Sequence, residues 1–477
     1  MLAPPVHSAA FRARRLANWL PLGIAYALLY MGRYNLTVAK NALGDMFTKE
    51  DFGLIFGVGA AVYGFSFLVN GPLIDRVGGR RGMLIGCAGA LAANVLMGVF
   101  LLGKTRWGWD VPILWPFVVL YALNMYFQSY GAVAIVTVKA PWFHVRERGT
   151  FSTIFGVIIA AGLYFAYDWG QAIVDATRAR PKDLGVMASV FASVFGLGRS
   201  GVDENWMIFF VPAILLAFFW VVMFIWLRNT PGDAGFADFD TAEASLSDDG
   251  ARLPVGQAVR RILTHPVLLW VCLIELCSGI MRNGIMHWYV IFAKETGFQK
   301  TFFVTANWGL CLLVCGVIGS NLTGWVSDKA FQSRRAPMAG LSYAIMIAAT
   351  GVLVFTLGAD LWFAGIAALV ISTGVIAVHG ILSGTATADF GGIRNTGIVV
   401  GIVDGFVYLG TAFQSVIIGF LVPTGPAAKN PGAWSAWPVF LVPFAIIGFA
   451  FTLKIWRALP SRSDQSRKPR SGGQLAA

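Results

Sequence analysis

The chain predicts an all-α membrane protein, with twelve transmembrane helices arranged as two pseudo-symmetric bundles of six. Three observations carry that reading. The 477 residues are 57% hydrophobic and only 13% charged, a balance that soluble domains of this length do not reach. Apolar stretches of about 20 residues, the length that crosses a bilayer, recur twelve times. A charged loop motif and a lone intramembrane arginine each appear once per half, at nearly the same offset, as internal duplication produces.

The apolar stretches cover 17–38, 52–74, 82–103, 111–138, 150–172 and 206–227 in the first half, then 266–293, 302–326, 336–357, 361–386, 396–422 and 434–457. The first follows Arg12, Arg14 and Arg15, as a signal peptide would. It is too long for a signal h-region, contains Arg33 and lacks a small-residue cleavage site, so it reads as an uncleaved first helix after a tail over 1–16. The second ends in the charged motif at Asp75. The fourth ends at Lys139, whose stem is expected to snorkel to the interface, and the fifth carries Asp168. Between the fifth and sixth lies 171–205, where the apolar run Val186 to Leu197 is too short to cross and predicts an interfacial or packed helix. The six stretches of 17–227 form one predicted bundle. A hydrophilic linker over 228–265 follows, with Asp233, Asp238, Asp240, Glu243, Asp248 and Asp249, and Arg260 and Arg261 next to the seventh stretch. The second bundle covers 266–457. Its seventh stretch holds Glu275, Arg282 and His287, the last placed near the outer end and expected to be wet. The tenth holds His379, and the eleventh has a glycine-rich start followed by Asp404. A basic tail closes the chain over 458–477.

The formal charge of +12 could suggest a nucleic-acid partner, but its distribution excludes one. Assigning loops alternately to the two sides, the side with both termini holds 22 of the 36 lysines and arginines, which predicts cytoplasmic termini. The cysteines Cys87, Cys272, Cys277, Cys311 and Cys315 all fall in apolar stretches and read as small packing residues. There is no phosphate-cradling loop, nucleotide fingerprint, zinc spacing or triad-like set. No metal, cofactor or enzymatic activity is expected.

Arg33 and Arg282 stand 249 residues apart in matching stretches. A charge at the bilayer centre costs about 2.5–3.5 kcal/mol on insertion scales, so each is a functional-site hypothesis. A planar guanidinium grips phosphate or carboxylate through paired hydrogen bonds. Tyr26, Tyr30 and Arg33 fall on one helix face at i, i+4 and i+7, and phenol hydroxyls beside guanidinium nitrogens form a donor-rich pocket. The loop motif reads Asp75-Arg76 with Arg80-Arg81 after the second stretch and Asp328 with Arg334-Arg335 after the eighth, 253 residues on. An acid at a helix end followed by paired arginines is a charge clamp suited to gating.

These residues resemble the major facilitator superfamily. Within it, Tyr26-x-x-x-Tyr30-x-x-Arg33-x-Asn35, Asp51-x-Gly53, Tyr63-Gly64-Phe65-Ser66, Phe127-Gln128, Glu147-Arg148-Gly149, Arg228-x-Thr230-Pro231 and Arg282-x-Gly284-Ile285 are similar to the organophosphate:phosphate antiporters, which include the glycerol-3-phosphate and hexose-6-phosphate exchangers. The resemblance implies that Arg33 and Arg282 are the phosphate-binding pair, lined by Tyr26, Tyr30 and Tyr63. The pattern departs where the glycerol-3-phosphate carrier has a lysine (here Phe67), a histidine (Ile159) and a glutamate (Leu313), and where an aspartate stands five residues after the arginine of the seventh stretch (here His287). Glu275, His379 and Asp404 are polar groups of this chain's own and are candidate substrate contacts.

Alternatives stay open at this level. The arginines could form structural salt bridges with Glu275 or Asp404. Exchange of an organic phosphate or phosphonate for inorganic phosphate by alternating access is the leading expectation. A proton-coupled anion symporter titrating Glu275, Asp404 or His379, and a transporter-like sensor of phosphate esters, are the others. The expected setting is a bacterial inner membrane, the expected partners a small anionic substrate and the lipid bilayer, and the expected state a monomer.

Overall fold

The structure is a computed structural model that describes residues 7–144, 147–179, 184–239, 241, 255–331, 335–386 and 396–458. Twelve long helices follow the predicted order. The first half has α1 (Ala9–Leu43), α2 (Lys49–Val77), α3 (Gly79–Arg106), α4 (Leu114–Lys139), α5 (Arg148–Tyr164) and α6 (Met207–Trp226). The second has α7 (Leu268–Met286), α8 (Trp308–Ala330), α9 (Arg335–Thr356), α10 (Leu361–His379), α11 (Thr396–Leu421) and α12 (Ala436–Lys454). Among the described residues, ten helical spans are long and apolar enough to cross a membrane by length and composition; α1 and α8 complete the twelve.

Several ends differ from the hydropathy reading, each for a local reason. α1 starts at Ala9, eight residues early, because Ser8 caps it by accepting the Phe11 N–H at 3.2 Å. Its basic first turns are then tied to the first half: Arg15 donates to Glu147 at 3.0 Å and Arg14 to the Trp226 carbonyl at 2.6 Å. α2 opens with a capping box between Thr48 and Asp51. α5 continues through a π-turn at Phe165–Trp169 into Gly170–Ala176, and α10 passes into another π-turn at Gly380–Ala386. Such turns add a residue to the helical repeat and often mark functional positions. Val186–Phe195 is a short helix with Val186 exposed and Phe191 packed on Trp169, as its length required. Part of the predicted linker is the helix Val255–Thr264. The five cysteines are buried and unbridged.

Close approach of small residues, the usual means of helix packing in lipid, sets the helices that matter for function. α2 runs along α11 backbone to backbone: a Cβ added at Gly53 would press on the Ser415 carbonyl, and one at Gly64 on that of Gly405. α7 and α11 are closer still. A Cβ at Gly279 would collide with the Val407 carbonyl, and one at Gly410 with the Leu276 carbonyl. That contact fixes Asp404 and Tyr408 of α11 beside Glu275 and Arg282 of α7.

The halves are sealed together at the face opposite the termini. Lys40 of α1 and Lys49 of α2 both reach Glu295, at 3.5 and 3.6 Å, and the lysine side chains are only 4% and 6% exposed. The Asp168 carboxylate accepts the N–H groups of Gly309 and Leu310 at 2.7 and 3.0 Å, so it caps α8 from the other half instead of standing as a pocket acid. Gln299 bonds Gln171, and Lys300 pairs with Asp175. At the face of the termini, the described contacts of the repeated motif stay within their own half. Arg80 donates to the Phe224 carbonyl at 2.7 Å, Arg335 donates to Ser327 at 3.3 Å, and Arg76 and Arg81 are exposed. Arg334 lies outside the described residues, as do the side chains of Asp75 and Asp328.

Candidate substrate site between the halves

The predicted arginines meet in the middle of the interface. Arg33 is 0% exposed and fully engaged: Nε donates to Gln128 Oε1 at 2.9 Å, Nη1 to the Tyr408 hydroxyl at 2.6 Å and Nη2 to the Tyr63 hydroxyl at 3.2 Å. Its guanidinium also lies over the rings of Tyr30 and Tyr63, at 4.9 and 4.5 Å from their centroids, close enough for cation–π attraction. Arg282, 8% exposed, faces Tyr30, Tyr34 and Tyr408. Each arginine therefore leans on a tyrosine of the opposite half, and Tyr30, Tyr34 and Tyr408 are shared between them.

The sequence around Arg33 explains its fixed position. The carbonyls of Gly32 and Arg33 carry bonds beyond the helix's own: Asn124 and Asn94 donate to Gly32 at 2.9 and 3.1 Å, and Tyr121 to Arg33 at 3.1 Å. Gln128 Nε2 donates to Asn124 at 3.0 Å, which turns its carbonyl oxygen toward Arg33. Buried amides in α3 and α4 thus pin α1 and orient the guanidinium, a chain in which every link is satisfied. Arg282 has less support: Tyr30 bonds its guanidinium, but its Nε is buried with no partner among the described residues. An unmatched buried donor on a charged group is costly and needs an explanation; an anionic ligand is one.

A second cluster adjoins the first. His379 Nδ1 lies 3.4 Å from Glu275 Oε2, with Glu275 0% exposed and the His379 side chain 29% exposed. Asp404 accepts the Ser383 hydroxyl and lies within electrostatic reach of His379, Glu275 and Arg282. Among the described residues, neither arginine forms an ion pair with Glu275 or Asp404, so the salt-bridge alternative does not describe this arrangement.

Tyr63 contacts Arg33 directly, Tyr30 stacks over it, and Tyr26 packs edge-on to Tyr30 at 5.5 Å, one turn further along α1. All eight residues predicted to touch substrate thus fall into two adjoining clusters. Among the described gating residues, Arg76, Arg80, Arg81 and Arg335 do not belong to either. His287 corrects the expectation of a wet outer position: it is 1% exposed, with Nδ1 2.6 Å from the Thr37 hydroxyl and 3.1 Å from that of Tyr167. Hydroxyls from α1 and from the α5 π-turn reach across and enclose it. Tyr408, Tyr34 and the supporting role of Gln128 were not predicted. Tyr408 had a signal, since it stands four residues after Asp404 on the same face of α11.

Residues 22–415 match the profile of the Major Facilitator Superfamily. The chain belongs to the major facilitator superfamily. It stands accordingly among membrane transporters and not among enzymes. Within the superfamily it is similar to the membrane sensor protein UhpC of Salmonella typhimurium, 26% identical over 96% of this chain and 94% of that one. It is also similar to the glycerol-3-phosphate transporter of Bacillus subtilis, 24% identical over 94% of each. Among solved structures, the inward-facing, unoccupied bacterial homolog of the human lysosomal transporter Spinster superposes with a TM-score of 0.69 at 17% identity, covering 94% of this chain and 98% of that one, a likeness of fold.

Proposed function

We propose that this superfamily member exchanges an organic phosphate or phosphonate for inorganic phosphate by alternating access. The observation that carries the proposal is the convergence of Arg33 and Arg282, one from each half, on a shared set of tyrosine hydroxyls. A phosphate dianion offers several acceptor oxygens to two forks and three phenols, and charge-assisted bonds of this kind are the strong ones. The glycerol-3-phosphate transporter among its relatives supports the same substrate class.

In the mechanism, the empty site keeps its cations quiet with phenols. Tyr408 and Tyr63 accept from Arg33, and an arriving phosphate takes their place as acceptor while the freed hydroxyls turn to donate to it. Arg282 gains the partner its Nε lacks. Because the two arginines belong to different halves, only a bound dianion neutralises both, and closure around it draws the halves together. Two uncompensated cations resist the same closure when the site is empty, which favours exchange over leak. The seal at the face opposite the termini then alternates with one at the other face, where Asp75, Arg76, Arg80 and Arg81 and their counterparts Asp328, Arg334 and Arg335 serve as gates. The bundles over 17–227 and 266–457 rock about the site, joined by the linker over 228–265. We place both termini in the cytoplasm of a bacterial cell, the protein in the inner membrane, and the working unit as a monomer.

Uptake of a labelled phosphate ester into liposomes loaded with inorganic phosphate tests the proposal; uptake that is indifferent to internal phosphate sinks it. The likeness to a protein named as a membrane sensor favours one second reading: a receptor with the same clamp that binds phosphate esters and signals. Binding without any exchange in the liposome assay would select it.

A further inference from the structure

Charge balance at the second cluster says what the organic part of the substrate carries. We infer that the substrate bears an ammonium group, received by Asp404; the inference rests on the phosphate clamp above. Three features of the site lead to it. First, Glu275 and His379 form a self-contained pair at 3.4 Å, with the glutamate sealed behind the partly exposed imidazole. At that distance each is the charge partner of the other. Second, Asp404 forms no ion pair with a described cation, and His379 and Arg282 act on it only from beyond ion-pair distance. It accepts the Ser383 hydroxyl, is only partly buried, and pairs with neither arginine. Third, the wall beside it is apolar: the Phe67 ring packs edge-on against Tyr63 at 4.9 Å and lies against Gly401, one turn before Asp404.

A site enclosed in a membrane protein must approach neutrality, since an unpaired buried charge is costly. Arg33 and Arg282 balance a phosphate dianion. Glu275 and His379 balance each other. Asp404, when ionised, then remains as one surplus negative charge. A neutral organic group leaves that surplus in place, and a carboxylated one doubles it. An ammonium cancels it and donates hydrogen bonds to the carboxylate. α7 and α11 run backbone to backbone at Gly279 and Gly410, which sets Asp404 and Arg282 in one site, so the spacer between phosphorus and nitrogen is a short carbon chain. The substrate class is a phosphate monoester or phosphonate with a primary amine close to the phosphorus.

The test is displacement of radiolabelled inorganic phosphate from the purified full-length protein by three esters of matched size: phosphoethanolamine, ethyl phosphate and phosphoglycolate. Phosphoethanolamine should compete about 10- to 100-fold better than ethyl phosphate, the range of a charge-assisted bond, with phosphoglycolate weakest. In Asp404→Asn the ratio between phosphoethanolamine and ethyl phosphate should fall to near one. Equal competition by the amine and neutral esters in the wild type overturns the inference and needs no variant to fold. So does a preference that survives in Asp404→Asn. If inorganic phosphate itself does not bind, the clamp fails and this inference falls with it. If phosphate binds and the amine gives no advantage, only the ammonium subsite is lost.

Discussion

Arg33 and Tyr408 lie 375 residues apart in sequence, yet the guanidinium Nη1 donates to the phenol oxygen at 2.6 Å across the interface of the two halves. This bond occupies the arginine without adding a charge. A carboxylate in the place of Tyr408 would hold Arg33 in an ion pair that a phosphate could displace only with difficulty. A phenol yields readily, and its proton is then available to the ligand.

Arg33→Lys and Arg282→Lys should each weaken phosphate binding about 10- to 100-fold, because an ammonium keeps the charge and loses the planar fork. Equilibrium binding of labelled phosphate to the purified variants measures this. Near-normal affinity in both variants refutes the clamp.

Tyr408→Phe removes the acceptor of a buried guanidinium donor, which should lower the stability of the empty protein by about 1–3 kcal/mol. Phosphate should recover much of that loss by supplying the missing acceptor. Thermal unfolding with and without saturating phosphate distinguishes the outcomes, since a purely structural tyrosine would give the same loss in both.

Glu295→Gln leaves Lys40 and Lys49 buried beside a neutral amide. Breaking a fully buried ion pair costs about 3–5 kcal/mol; with Glu295 28% exposed the cost is smaller, and it is relieved by opening the face opposite the termini. Spin labels on that end of α1 and α7 should move apart. An unchanged distance distribution would show that the lysines do not hold the seal.

Gly279→Ala should be among the most damaging small substitutions, because the added methyl meets the Val407 carbonyl on a rigid helix. Overpacking costs about 1–3 kcal/mol, and separating α7 from α11 also moves Asp404 and Tyr408 away from Arg282. Reduced phosphate affinity along with reduced stability is the expected result. Normal affinity would mean that the contact does not position the site.

Exchange should persist when the proton gradient is collapsed. Within the membrane, the charges repeated between the halves are arginines, which do not release protons at working pH, whereas Glu275, His379 and Asp404 occur in one half alone. Concentrative uptake into phosphate-free liposomes, driven by an imposed proton gradient and lost in Asp404→Asn, would favour symport instead.

The twelve helices and the meeting of Arg33 with Arg282 were legible because they leave local traces: apolar runs of spanning length, a charge where lipid forbids one, and a motif that repeats. The face Tyr26–Tyr30–Arg33 was legible for the same reason. The fate of His287 and Asp168 was not. Both are decided by partners in the other half, Thr37 and Tyr167 for the histidine and the first turn of α8 for the aspartate, and nothing in the flanking sequence encodes a partner more than a hundred residues away. Tyr408 went unseen because a tyrosine in an apolar helix reads as ordinary packing until the arginine it serves is placed opposite.

The α2–α11 contact has a mechanical consequence. Where Gly53 and Gly64 lie against the carbonyls of Ser415 and Gly405, backbone meets backbone, and rotation at those two points asks for few rotamer changes. Interdigitated surfaces move in discrete jumps, as cogs do; two smooth backbones act as a journal bearing. In the proposed cycle such a seam would let the halves turn about the clamp, with occupancy of the clamp, more than friction along the seam, setting how often they turn.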